Sequence, residues 1–90
     1  MKYNSQKINK EIRCYDNGGK SLDRYTVIYM FEPENRPNTF GARGMCENPC
    51  SPQGIGCYTS AMPGRHLGKR IKFEQLPINC KWLVLSDLSD

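Results

Sequence analysis

Arg24-Tyr25-Thr26-Val27-Ile28-Tyr29-Met30-Phe31 is the densest run of β-branched and aromatic side chains in the chain. In an extended backbone successive side chains point to opposite faces. One face then carries Tyr25, Val27, Tyr29 and Phe31, and the other Thr26, Ile28 and Met30. Both faces are largely apolar, which predicts a strand covered on both sides and therefore the centre of a sheet.

Working toward the N-terminus, Asp16-Asn17-Gly18-Gly19 is the strongest turn signal, since Asn and Gly supply the positive φ angles of a tight hairpin. Residues 10–15 alternate before it, with Ile12 and Cys14 on one side and Arg13 and Tyr15 on the other, as a partner strand would. Residues 1–9 are polar apart from Tyr3 and Ile8 and read as a flexible arm, leaving residues 10–90 as a single domain. Toward the C-terminus, Pro33 and Pro37 end the central strand. Residues 39–47 suit a third strand. Residues 48–65, with three prolines and three glycines, read as a long irregular loop, held in order by Ile55, Tyr58 and Met62. Residues 69–73 suit a short strand. Ile78, Trp82, Leu85 and Leu88 recur at helical spacing and predict a helix over 78–88, with Pro77 tolerated at its start. A strand over 80–85 is the competing reading. The expectation is an α+β fold: a small, mainly antiparallel sheet of three or four strands, one C-terminal helix and a long ordered loop.

The chain has 90 residues and 38% hydrophobic side chains, enough for one domain with a thin core. No apolar run is long enough to span a membrane. The first residues lack the apolar stretch of a secretory signal, so a cytoplasmic setting in a host cell is the expectation. Thirteen Lys and Arg stand against nine acids, for a net charge of +4. The excess is uneven: residues 1–72 hold twelve basic and six acidic side chains, while Lys81 faces Glu74, Asp87 and Asp90 in the remainder. A basic body favours anionic partners: nucleic acid, nucleotides or an acidic protein face.

Chemistry-bearing motifs are few. Five cysteines, an odd number, do not suggest a secreted disulfide framework. Cys14 and Cys80 sit among apolar neighbours and read as core side chains. Cys46, Cys50 and Cys57 with His66 offer four zinc ligands, but only the first pair has the usual spacing, so a zinc-stabilised module is an alternative and no cofactor is expected. A Cys–His nucleophile lacks any supporting signature. Gly18-Gly19-Lys20-Ser21 resembles the end of a phosphate-binding loop, yet Cys14 stands where its first glycine is required. No enzymatic activity is expected.

Gly64-Arg65-His66-Leu67-Gly68-Lys69-Arg70-Ile71-Lys72 is the most basic stretch. Arg and Lys bind phosphate, and glycines let backbone approach a ligand. A solvated edge strand guarded by lysine is the plainer reading of the same residues. Arg65, His66, Lys69, Arg70 and Lys72, with Tyr58 as an aromatic anchor, are the candidate ligand-binding residues. Arg13, Lys20 and Arg24 are further cations that the sequence cannot place. Tyr15, Tyr25, Tyr29 and Tyr58 are possible base-stacking rings, with Tyr25 and Tyr29 better suited to a core.

Three stretches taken together, 13–27 (RCYDNGGK through DRYTV), Asn48-Pro49 with Ser51-Pro52-Gln53-Gly54, and His66 to Ile71 with Leu76-Pro77, resemble small open reading frames of phage, plasmid and environmental sequences. The resemblance implies a mobile-element protein and assigns no activity or site residue. The expected function is that of a non-enzymatic binding protein holding an anionic target, either a host protein face or a nucleotide signal, with counter-defence as its setting. A nucleic-acid-binding regulator is the alternative. Homo-oligomerisation is left open, and no membrane partner is expected.

Overall fold

The computed structural model describes residues 5–49, 54 and 56–89. Its elements run α1 (Ser5–Glu11), β1 (Ile12–Asp16), β2 (Tyr25–Pro33), β3 (Phe40–Met45), β4 (Gly56–Ala61), a 3-10 turn at Arg65–Leu67, β5 (Lys69–Ile71), a second 3-10 turn at Phe73–Gln75, and α2 (Ile78–Leu88). The fold is α+β, with one five-stranded antiparallel sheet in the order β4-β3-β2-β1-β5. β2 is the middle strand, as its two apolar faces require.

Each face of β2 seeds its own core. Tyr25, Val27 and Tyr29 pack with Ile8, Ile12, Cys14, Met45, Phe73, Leu76, Cys80 and Val84 beneath the helices. Ile28 packs with Tyr15 and Ala42 on the opposite face, where Leu67 joins them. Leu67 reaches that face because β4 and β5 are opposite edges of the sheet. The chain leaving β4 must cross the helix-free face to reach β5. α2 spans the predicted 78–88, but its buried face is a different one: Ile78 and Trp82 are exposed, while Cys80 and Val84 are buried.

Three local expectations change. From Ser5 onward, the segment read as a flexible arm is helix. Ile8 is 5% exposed, and Asn9 ties α1 to the rest: its Oδ1 accepts from Phe73 N (3.0 Å) and its Nδ2 donates to Glu74 Oε1 (2.6 Å). A single buried Ile and one bifunctional amide leave little periodic signal. Second, the 48–65 segment is not irregular throughout, because Gly56–Ala61 pair with β3 from Phe40↔Ala61 to Met45↔Gly56. This is the fifth strand. Third, the tight hairpin is a longer loop over residues 17–24, closed by Asn17 N donating to Arg24 O (2.9 Å). Gly18 and Gly19 hold positive φ (77° and 88°), and their N–H groups donate to the carboxyl of Asp16 and the side-chain carbonyl of Asn17. Asx turns thus take up the glycine and asparagine chemistry that a two-residue turn would have used.

Candidate functional site at the β1–β5 edge

β5 is held to β1 by the pairs Cys14↔Ile71, Tyr15↔Arg70 and Asp16↔Lys69. Alternation then sorts the side chains. Ile71 packs with the core under the helices. Arg70 therefore projects to the other face, the one that holds Tyr15. Lys72 follows Ile71 in extended conformation (φ −88°, ψ 156°) and continues the alternation onto the Arg70 side. Arg13, the register partner of Ile28, lies on that face too. One edge of the crossover face thus gathers Arg13, Arg70 and Lys72.

Arg65 arrives from the crossing chain. The turn at Arg65–Leu67 is closed by Leu67 N donating to Gly64 O (3.1 Å) and Gly68 N to Arg65 O (3.0 Å). Gly68 has φ +111°, and a Cβ there would lie 2.6 Å from Asn17 Cα and against the Asp16 carbonyl. Only glycine lets the chain pass this close to the β1 end and then pair as β5. The result is an open depression of about 530 Å³ lined by Tyr15, Gly64, Arg65, Gly68, Lys69 and Arg70. A second, of about 760 Å³, shares Arg70 and continues past Lys72 to Asn9, Lys10, Glu74 and Gln75.

Three ion pairs are formed among the described residues, and they engage Arg24 and Arg43. Arg24 donates to Asp16 (2.8 Å) and to Glu47, and lies over the Tyr25 ring at 5.2 Å. This pairing holds the Asp16 carboxyl below its ordinary range. Arg43 grips Asp87 through two bonds of 2.6 and 2.7 Å. Arg13, Arg65, Lys69, Arg70 and Lys72 have no ion pair within 4 Å among the described residues. Arg65, Lys69, Arg70 and Lys72 are exposed. The Cys14 thiol behind β5 is pushed up to about 12 by burial, partly offset by Arg70, so it stays protonated.

The candidate residues separate into two groups. Arg65, Lys69 and Arg70 line one depression and Lys72 the next; register places Lys69 beside Asp16 on the helix side, and Arg70, Lys72 and Arg13 on the crossover face. His66 is exposed on the turn beside Arg65 but does not line either depression. Tyr58 belongs elsewhere. It sits on β4, at the opposite edge, with its ring stacked on Tyr29 at 6.1 Å on the helix side of the sheet. Its hydroxyl donates to Glu32, and that bond, with some burial, pushes its pKa up to about 12. Arg43 lies over its ring at 5.5 Å. Tyr58 therefore supports the Arg43–Asp87 tether and is no anchor for a ligand on β5. Tyr15, Tyr25 and Tyr29 are buried, and Lys20 lies in the 17–24 loop.

Of the candidate zinc ligands, three are described: Cys57 is the second residue of β4, opposite Gly44, Cys46 follows β3, and His66 lies on the crossing segment. Among the described residues no group of three His, Cys, Asp or Glu is placed to hold a metal ion. Cys50 lies outside the described residues. Asn9, Glu74 and Gln75 are site residues that sequence reasoning missed. The Glu74-Gln75 pair directly after the basic strand was the one available hint. No helix among the described residues is long and apolar enough to cross a membrane. Comparison with protein-family models, curated proteins and solved structures gives no match for this chain.

Proposed function

We propose that this chain is a non-enzymatic binding protein that holds an anionic target along the β1–β5 edge. The observation that carries the reading is the gathering of cations along β5. Arg24 and Arg43 are consumed by carboxylates of the fold. Arg65, Lys69, Arg70 and Lys72 form no ion pair among the described residues and line two depressions that share Arg70, with Arg13 on the same sheet face as Arg70. Unpaired like charges gathered at one edge repel one another, and an anion relieves that repulsion while gaining charge-assisted hydrogen bonds. A protein of this kind acts by occupying or sequestering its target, which suits the mobile-element origin that the sequence resemblance implies.

The test is elution from immobilised heparin in a salt gradient, a polyanion probe that presumes no particular target. The Arg65→Ala/Arg70→Ala variant is compared with Lys20→Ala/Lys81→Ala, which makes the same change in net charge away from the edge. The reading expects clearly earlier elution for the first pair and near wild-type elution for the second. Equal shifts would mean that retention reflects diffuse net charge, and the site would be withdrawn.

A further inference from the structure

The edge is not uniformly basic, and its asymmetry constrains the ligand. One end, around Gly64, Arg65, Lys69 and Arg70, offers cationic side chains. The other end carries Glu74, the one acidic group among the described residues lining the two depressions, and Gln75, with Lys10 and Lys72 beside them. Glu74 and Gln75 are held in place. Glu74 Oε1 accepts from Asn9 Nδ2 (2.6 Å), and Gln75 Oε1 accepts from Lys72 N (2.8 Å). Those bonds use one oxygen of each side chain. They leave the second carboxylate oxygen of Glu74 as an acceptor and the Gln75 amide nitrogen as a donor, in residues that line the same depression. Arg70 and Lys72 stand between the two ends, about 7 Å apart as alternate residues of an extended chain.

A continuous polyanion lying along the whole edge would bring a phosphate against the Glu74 carboxylate, which repels it. A ligand anionic at one end only avoids this conflict. Its other end should present an N–H donor to Glu74 and an acceptor to Gln75, the pattern found along the edge of a nucleobase. We infer that the edge binds a nucleoside phosphate, with its phosphates on Arg65 and Arg70 and its base at Glu74 and Gln75. The two depressions share Arg70, so one ligand could reach from one to the other. This inference rests on the anion-binding reading above and narrows it from anionic targets in general to one chemical class.

Calorimetric titrations of wild-type protein with ADP, GDP, pyrophosphate and a twelve-nucleotide oligo(dT) test it, repeated with Glu74→Gln and Arg65→Ala/Arg70→Ala. At least one nucleotide should bind tenfold or more tightly than pyrophosphate. Glu74→Gln keeps the bond to Asn9 but removes the charge. It should cut the nucleotide advantage to less than threefold while leaving pyrophosphate binding equal or tighter. The double arginine variant should weaken all phosphate ligands tenfold or more. Nucleotides no tighter than pyrophosphate, or an unchanged nucleotide advantage in Glu74→Gln, would overturn the base site and leave the basic edge standing. Tighter binding of oligo(dT) than of either nucleotide would overturn the inference in favour of a polynucleotide. If none of these ligands binds, the inference fails, and the heparin comparison alone decides the broader reading.

Discussion

Asp87→Ala should be the most damaging single substitution of an acidic residue in this chain. Asp87 lies near the end of α2 and accepts from Arg43 Nε (2.6 Å), Arg43 Nη2 (2.7 Å) and the Tyr29 hydroxyl. Arg43 and Asp87 side chains are 15% and 19% exposed, and Tyr29 is 1% exposed. Arg43 also donates to Gly56 O (3.1 Å), so one guanidinium joins α2, β3 and β4. Removing the carboxylate leaves a largely buried guanidinium without its counter-ion and a buried hydroxyl without its acceptor. Breaking a fully buried pair from one side costs about 3–5 kcal/mol, and each stranded polar group about 1–3 kcal/mol. The residual exposure lets water reach both partners, which places the net loss at about 2–4 kcal/mol. For a domain this small, each kcal/mol lowers the melting temperature by about 4–8 °C. Urea denaturation followed by tryptophan fluorescence reads the loss directly, and adding Arg43→Ala to Asp87→Ala should cost less than about 1 kcal/mol more. A loss below about 0.5 kcal/mol for Asp87→Ala alone would refute the claim that this network tethers α2 to the sheet.

Gly68→Ala should lose about 2–4 kcal/mol, because a positive φ and a backbone collision with Asp16 and Asn17 act together; chemical denaturation measures it, and an alanine variant of wild-type stability would show that the crossing chain does not enter β5 as described. Thiol labelling of the native protein should modify exposed Cys57 far faster than buried Cys14 and Cys80, read by mass spectrometry of proteolytic fragments. The Cys14 thiol, raised from 9.0 to about 12, stays protonated in the fold while an unfolded thiol ionises. Its contribution is therefore complete below about pH 9 and is lost as pH rises from 9 toward 12, so denaturation midpoints should fall across that window, and less so in Cys14→Ala measured against its own neutral-pH value.

Much of the scaffold is legible in the residues alone. Two apolar faces on Arg24–Phe31 define a central strand because only a strand covered on both sides can use them. The 78–88 helix is legible but its inward face is not: of the spaced residues Ile78 and Trp82 are exposed, and Cys80 and Val84 are the buried ones. β4 is illegible for a physical reason: Gly56, Cys57, Thr59 and Ser60 carry little apolar periodicity, and the strand exists because the β3 edge offers it a ladder. α1 is hidden in the same way, since Ile8 and Asn9 reveal their roles only against Phe73 and Glu74. The basic segment was visible as composition, but its partition was not. That Arg24 and Arg43 are neutralised, that Arg13 shares a sheet face with Arg70, and that Tyr58 sits at the far edge all follow from long-range pairing, which spacing along the chain does not encode.

The central claim is that a phosphate-bearing anion is held at the β1–β5 edge, and amide chemical-shift mapping tests it most directly. Isotope-labelled protein is titrated with pyrophosphate at constant ionic strength, and each backbone amide is followed. The account predicts saturable shifts concentrated at Tyr15 and along residues 64–72, with β4 and the outer face of α2 unmoved. Shifts that fail to saturate, or that centre on Cys57, Tyr58 and Thr59, would contradict it.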